Sequence, residues 1–140
     1  MASEFSVQLA NLARDFRLIP ADVRRRMRPA LQRAAQPIIA EARANASQWS
    51  YRIPSSIKLS VLKTGVMIRV SSKTAPHARP YEGIGTRRNT FRHPVFGNRE
   101  YWVEQRTRPF LMPAVRRHRA EVHREVERTI DQVLRLHGYR

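Results

Sequence analysis

The stretch "SIKLSVLKTGVMIRVS", residues 56–71, is the most informative about fold class, because here the spacing of apolar residues changes to two. Ile57, Leu59 and Val61 alternate with polar residues, and the alternation resumes at Val66 after a Thr64-Gly65 step. Strict alternation is typical of a strand with one buried face, and a glycine between two such runs favours a tight turn. The stretch therefore predicts a β-hairpin with one apolar side.

On the N-terminal side of this stretch, the spacing of apolar residues is that of a helix. Apolar residues recur at steps of three and four over residues 3–16 and again over residues 20–46, so residues 1–48 are expected to form two helices. Pro29 and Pro37 lie inside the second pattern. A proline in a helix interior costs about 3 kcal/mol, and we expect a kink or a break near one of them.

On the C-terminal side, residues 79–108 predict a long basic hairpin or loop, in which "NTFRHPVF" and "REYWVEQ" flank Gly97-Asn98. Pro94 restricts the first of these strands to a sheet edge or a bulge. Residues 109–138 predict one long helix that ends at Gly138. Together these elements indicate a single α+β domain over residues 1–140. We expect an antiparallel sheet of about four strands, with the N-terminal and C-terminal helices packed on one face.

The charge is strongly positive. The chain has 27 basic and 11 acidic residues, a net charge of +16, and residues 48–108 alone hold 12 bases and 3 acids. Such a charge favours nucleic acid or acidic protein surfaces as partners. There is no cysteine and no apolar run near 20 residues, and the N-terminus does not resemble a signal peptide. We therefore expect no disulfide, thiolate metal site or membrane partner.

The sequence gives little support to an enzyme. His77 and Glu82 could form a base and its orienting acid, but such a pair recurs by chance, and no phosphate-binding loop, nucleophile elbow or metal-ligand spacing is present. Gly83 and Gly85 are better explained by backbone angles that other residues avoid. We expect no catalytic residues, cofactor, metal or small-molecule substrate.

Two other interpretations remain for residues 79–108. Arginines interleaved with aromatic residues can follow phosphates and stack on bases, although the aromatic residues could equally pack beneath the hairpin. Aromatic residues and arginine are also enriched in the cores of protein interfaces. The candidate contacts to DNA or to an acidic partner are Arg79, Arg87, Arg88, Arg92, Arg99, Arg106 and Arg108.

Two motifs carry a family resemblance. "HARPYEGIGT", residues 77–86, is followed by "RPFLMPAV", residues 108–115, and then by a long charged segment. In this order the chain resembles the tail-completion and head–tail joining proteins of long-tailed double-stranded DNA phages, which are neck or minor tail proteins. The positions that match the family pattern are His77, Ala78, Glu82, Gly85, Thr86, Pro109, Phe110, Leu111, Pro113 and Ala114.

The resemblance implies a structural virion protein, assembled in the host cytoplasm, that forms a homo-oligomeric ring, commonly a hexamer. Its implied partners are adjacent neck, portal-adaptor and tail-terminator proteins, and genomic DNA passes through the ring. The alternative is a small basic protein that binds DNA without sequence specificity. The candidate interface residues are Tyr81, Glu82, Gly85, Thr86, Phe91, Phe96, Tyr101, Trp102, Pro109, Phe110 and Leu111.

Overall fold

The predicted hairpin at residues 56–71 is confirmed. In the computed structural model, which describes residues 5–8, 21–62, 65–84, 89–95 and 98–136, strands β2 (Ile57–Leu62) and β3 (Gly65–Val70) pair antiparallel, with Ile57 opposite Val70. The alternation sends Ile57, Ile68 and Val70 into the core, where each is at most 1% exposed. The Thr64 part of the predicted turn lies outside the described residues.

The sheet has a third strand that the sequence analysis missed. Strand β1 (Phe5–Gln8) pairs antiparallel with β3, so the strand order is β1-β3-β2. The predicted helix over residues 3–16 is therefore wrong at residues 5–8, and residues 9–16 lie outside the described ranges. Phe-Ser-Val-Gln also alternates apolar and polar residues, and pairing with the free edge of β3 satisfies its backbone groups, which outweighs a short helical spacing.

Helix α1 (Ala21–Ser47) runs without interruption through Pro29 and Pro37. We expected a kink or a break, and the break does not occur, because the helix is buried along one face. Met27, Leu31 and Ile38 are all 0% exposed, and complete burial of each such side chain contributes about 1.5–3 kcal/mol. That packing offsets the hydrogen bonds that the two prolines remove.

The predicted C-terminal helix is divided in two. Helices α4 (Leu111–Arg117) and α5 (Arg119–Leu136) are separated at His118. Glu41 of α1 lies beside this junction, with Arg117 Nη1 2.7 Å from Oε1 and His118 Nε2 3.2 Å from Oε2. Both helices pack on α1, which also contacts β2 and β3. Helix α1 therefore lies between the sheet and the C-terminal helices.

A second, separate sheet consists of β4 (Thr90–Val95) and β5 (Asn98–Arg106), paired antiparallel with a register shift between Pro94 and Val95. The predicted second hairpin is confirmed, and the register shift beside Pro94 agrees with the edge or bulge position expected for this proline. The α+β class is also confirmed, but the described strands form two sheets instead of one sheet of about four strands. Of the helices that the structure describes, none has the length and apolar character to cross a membrane.

Candidate interaction site

The first motif forms a short helix where the sequence analysis expected a loop. Helix α3 (Ala78–Glu82) follows α2 (Ile53–Ser56) and the β2–β3 hairpin and ends at Gly83, which has φ 94° and ψ 12°. In this left-handed conformation the Gly83 N–H donates to the carbonyls of Arg79 and Pro80 at 3.2 and 3.0 Å. Glycine adopts it without steric cost, as expected for Gly83, while Gly85 lies outside the described residues.

Helix α3 directs Glu82 into the interior, where it is only 7% exposed. One carboxylate oxygen, Oε2, accepts the backbone N–H groups of Phe110 and Leu111, each at 2.9 Å. The other, Oε1, accepts the N–H of Met112 at 2.8 Å. The first N–H groups of a helix have no intrahelical acceptor, and a carboxylate is also favoured there by the helix dipole. Glu82 thus binds the first residues of α4, which lie 28 to 30 residues later in the sequence, and so joins the two motifs.

Further contacts hold the second motif inside the chain. Phe110 and Leu111 are 1% and 0% exposed, and the Asn45 amide donates to the Phe110 carbonyl at 3.2 Å. The structure therefore gives Glu82, Phe110 and Leu111 an internal role, since their side chains form no accessible surface of the folded chain. Pro109 is exposed beside them.

Tyr81 connects α3 to the second hairpin. Its ring centroid lies 5.5 Å from that of Phe91 on β4 and 5.6 Å from that of His77. Its hydroxyl accepts a hydrogen bond from the Gln105 side chain at 3.2 Å, and its carbonyl accepts the Arg108 N–H at 2.7 Å. These contacts fix the base of β4 and β5 on the body of the domain.

We call residues 90–106 the arm. Beyond its base, β5 is exposed at every position from Arg99 to Glu104, with Tyr101, Trp102 and Val103 67%, 47% and 40% exposed. Because successive side chains of a strand point to opposite faces, the part of the chain that the structure describes covers neither face of this part of β5. Within the described ranges, β4 and β5 contact chiefly each other, so the arm projects from the domain.

The candidate arginines differ in their surroundings. Arg92, Arg99 and Arg106 are exposed on the arm, whereas Arg79 and Arg108 are half-buried. Arg87 and Arg88 lie outside the described residues, as do Thr86 and Phe96. The described arm holds three arginines and two glutamates, and Arg92 lies opposite Glu104 in the strand register. The arm is therefore close to neutral, and the positive charge of the chain is spread more widely.

A second exposed aromatic patch escaped the sequence analysis. Trp49 and Tyr51, which follow α1, are 46% and 84% exposed, and the Arg108 guanidinium carbon lies 3.7 Å from the centroid of the Trp49 ring. That distance is typical of a cation–π contact. In the sequence, this patch was indicated by two aromatic residues in a short polar connection.

His77 and Glu82 have separate hydrogen-bond partners. The Ser50 hydroxyl oxygen accepts the N–H groups of Arg52 and Ile53 at 3.1 and 3.2 Å and lies 2.8 Å from His77 Nε2, so its O–H donates to a neutral imidazole. Burial, and secondly the charge of Arg52, lower the pKa of His77. Among the described residues no cluster of three or more histidines and carboxylates could hold a metal ion.

Known proteins provide no independent assignment. No protein-family model, curated protein or solved structure matches this chain. The resemblance to phage neck proteins thus depends on the two motifs and on the order of the elements. Function has to be argued from the surfaces themselves, above all from the arm.

Proposed function

We propose that this chain is a structural subunit of the neck of a long-tailed double-stranded DNA phage. Copies of it form a ring that joins the tail to the DNA-filled head and surrounds the genome channel. The single observation that carries the proposal is the exposure of Tyr101, Trp102 and Val103 on an arm that the described residues of its own chain leave uncovered. A two-stranded hairpin is only marginally stable in water, and contact with another chain would cover both of its faces.

The contacts at the base of the arm support the same function. The arm lies in sequence between Glu82 and Phe110, and the carboxylate of Glu82 closes this segment through three hydrogen bonds. Tyr81 adds ring contacts to the arm itself. A binding element that is already oriented loses less conformational entropy on association. This gives a physical reason for the two motifs to occur together in a chain that assembles.

The charge of the chain suits a position beside the genome. A net charge of +16 favours contact with DNA phosphates in a channel or with an acidic face of an adjacent ring. The implied neighbours are the portal-adaptor and tail-terminator proteins. On this proposal the mature location is the virion, and assembly takes place in the host cytoplasm.

Joining in vitro tests the proposal. DNA-filled heads and finished tails are prepared from phage that lack this chain, and purified protein is added. The wild-type chain should restore joined particles under the electron microscope, and the variant Tyr101→Ser/Trp102→Ser should not. A Tyr51→Ser variant, altered at an exposed aromatic residue outside the arm, is the matched control. Joining at the wild-type level with the arm variant would refute the proposal.

A DNA-binding protein that acts without a virion is the second candidate. The exposed arginines Arg92, Arg99 and Arg106 beside Tyr101 and Trp102 favour it. It predicts that the chain alone binds duplex DNA and that the affinity falls steeply with salt, because bound phosphates release counterions. A mobility-shift titration at two salt concentrations, run beside the joining assay, distinguishes the two candidates.

A further inference from the structure

We propose that one face of helix α1 binds the phosphates of duplex DNA without reading its sequence. The inference rests on the proposed neck function, in which the genome passes beside this chain, and it identifies the surface that contacts the genome. That surface differs from the arginines of residues 79–108, where the sequence predicted contacts to DNA.

The surface, which we call the α1 face, consists of the exposed side chains along this helix. They recur mainly at steps of three and four residues, so they share one side of the helix. Its members are Arg25, Arg26, Pro29, Arg33, Gln36, Ala40, Arg43, Ala44 and Ser47. At about 1.5 Å of rise per residue the α1 face is roughly 33 Å long, which is close to the length of one turn of B-DNA.

The α1 face has four arginines and no acidic residue. The sequence has no acid between Asp22 and Glu41, and Glu41 is half-buried at the contact with α4, outside this face. Among the side chains that the structure describes, no carboxylate pairs with Arg25, Arg26 or Arg33. Their positive charge is therefore not neutralised within the described chain, and it attracts a polyanion.

Two other surfaces with arginines carry acids as well. Helix α5 has four arginines and four acidic residues. Arg124 Nη2 lies 3.6 Å from Glu121 Oε1, and Arg128 Nη1 lies 2.7 Å from Glu125 Oε1. The described arm has three arginines and two glutamates. Compared with these surfaces, the α1 face is distinguished by charges of one sign on one exposed side.

The composition of the α1 face favours DNA over a protein partner. The cores of protein interfaces are enriched in aromatic residues and methionine, and the arm exposes Tyr101 and Trp102. The α1 face has no aromatic residue or methionine, and its apolar members are the compact residues Pro29, Ala40 and Ala44. Arginine, glutamine and serine donate to phosphate oxygens, and compact residues between them allow a duplex to approach closely. Phosphate contacts position a protein on DNA and carry no sequence information.

A salt titration of the affinity for duplex DNA tests the α1 face. The variant Arg25→Gln/Arg26→Gln/Arg33→Gln loses three exposed charges, while glutamine keeps a high helix propensity. Arg43 stays in place, because its guanidinium also donates to two backbone carbonyls. Each lost phosphate contact reduces the slope of log affinity against log salt by about 0.9, so the slope should fall in magnitude by about 2 to 3. The loss should be the same for unrelated duplex sequences.

The matched control is Arg119→Gln/Arg124→Gln/Arg128→Gln. It removes the same number of charges from exposed positions on α5, where acidic residues balance the arginines. The slope should change by less than about one. Both variants should unfold in one cooperative thermal transition, which shows that a changed slope does not come from loss of the fold.

A reduced slope for the α1 variant, without a similar reduction for the α5 control, supports the inference. Equal slopes for the wild type and the α1 variant overturn it, and so do equal reductions in both variants. A wild-type chain with no affinity for duplex DNA at about 50 mM salt overturns it as well. The variant Arg92→Gln/Arg99→Gln/Arg106→Gln is measured in the same titration, and a larger reduction for this variant would assign the DNA contact to the arm instead.

The joining assay separates this inference from the proposed function. A wild-type chain that joins heads to tails without binding DNA overturns the inference and leaves the neck proposal standing. A wild-type chain that binds DNA through the α1 face but joins nothing supports the α1 face as the DNA-binding surface and overturns the neck proposal.

Discussion

Replacement of Glu82 tests how the two motifs are joined. In Glu82→Ala the N–H groups of Phe110 and Leu111, whose bonds to the carboxylate are buried, lose their acceptor, and each unsatisfied buried donor costs about 1–3 kcal/mol. The bond to the Met112 N–H is only partly buried, so water can replace that acceptor. We therefore expect the free energy of unfolding to fall by about 3–5 kcal/mol.

Glu82→Gln should have a smaller effect. The amide keeps one oxygen, which can still accept the Phe110 and Leu111 N–H groups, but its NH₂ group then faces the N–H of Met112, and the charge that favours a helix N-terminus is lost. We expect a loss of about 1–3 kcal/mol.

Urea denaturation followed by circular dichroism measures both variants. The control is Glu104→Gln, whose exposed carboxylate accepts the Thr90 hydroxyl at 2.8 Å, and its stability should stay within about 0.5 kcal/mol of wild type. If Glu82→Ala unfolds at the urea concentration of the wild type, the three hydrogen bonds do not have the role assigned to them.

Two further predictions concern the same region. Phe110→Ala should lower the free energy of unfolding by about 3–5 kcal/mol, because a side chain only 1% exposed leaves a cavity; an unchanged thermal melt would show that Phe110 is not a core residue. The lowered pKa of His77 means that the unfolded chain binds its proton at a higher pH than the folded chain. The contribution of neutral His77 to the free energy of unfolding is therefore fully present above the ordinary pKa of 6.5. It is lost as the pH falls below that value toward the pKa of His77 in the folded chain. Urea denaturation at pH 7.5 and pH 5.5 should show a smaller loss for His77→Gln than for wild type, and equal losses would contradict a lowered pKa of His77 in the folded chain.

The sequence pattern predicted the elements that are stabilised by local contacts or that have strongly periodic apolar residues. The alternation around Ile57 and Ile68 identified the β2–β3 hairpin, and Pro94 predicted an edge or a bulge where the register of the arm shifts. The long apolar stripe also predicted helix α1 correctly. It did not show that burial of Leu31 and Ile38 keeps the helix continuous through its two prolines. In these elements the residue pattern and the tertiary packing favour the same conformation.

Elements that depend on distant partners were not predictable in this way. Strand β1 has 4 residues and is specified by its pairing with β3, and the end of α4 at His118 coincides with its contact to Glu41 on α1. The same applies to Glu82. The family resemblance of its motif implied an interface residue, and only the fold brings its carboxylate to the start of α4. The position of Glu82 in the sequence does not show that its carboxylate accepts hydrogen bonds from residues so much later in the chain.

If the arm binds other chains, native mass spectrometry of the purified protein should show a closed oligomer of one size for the wild-type chain. The variant Tyr101→Ser/Trp102→Ser should remain monomeric. An identical oligomer for both proteins, or monomers for both, would contradict binding by the arm.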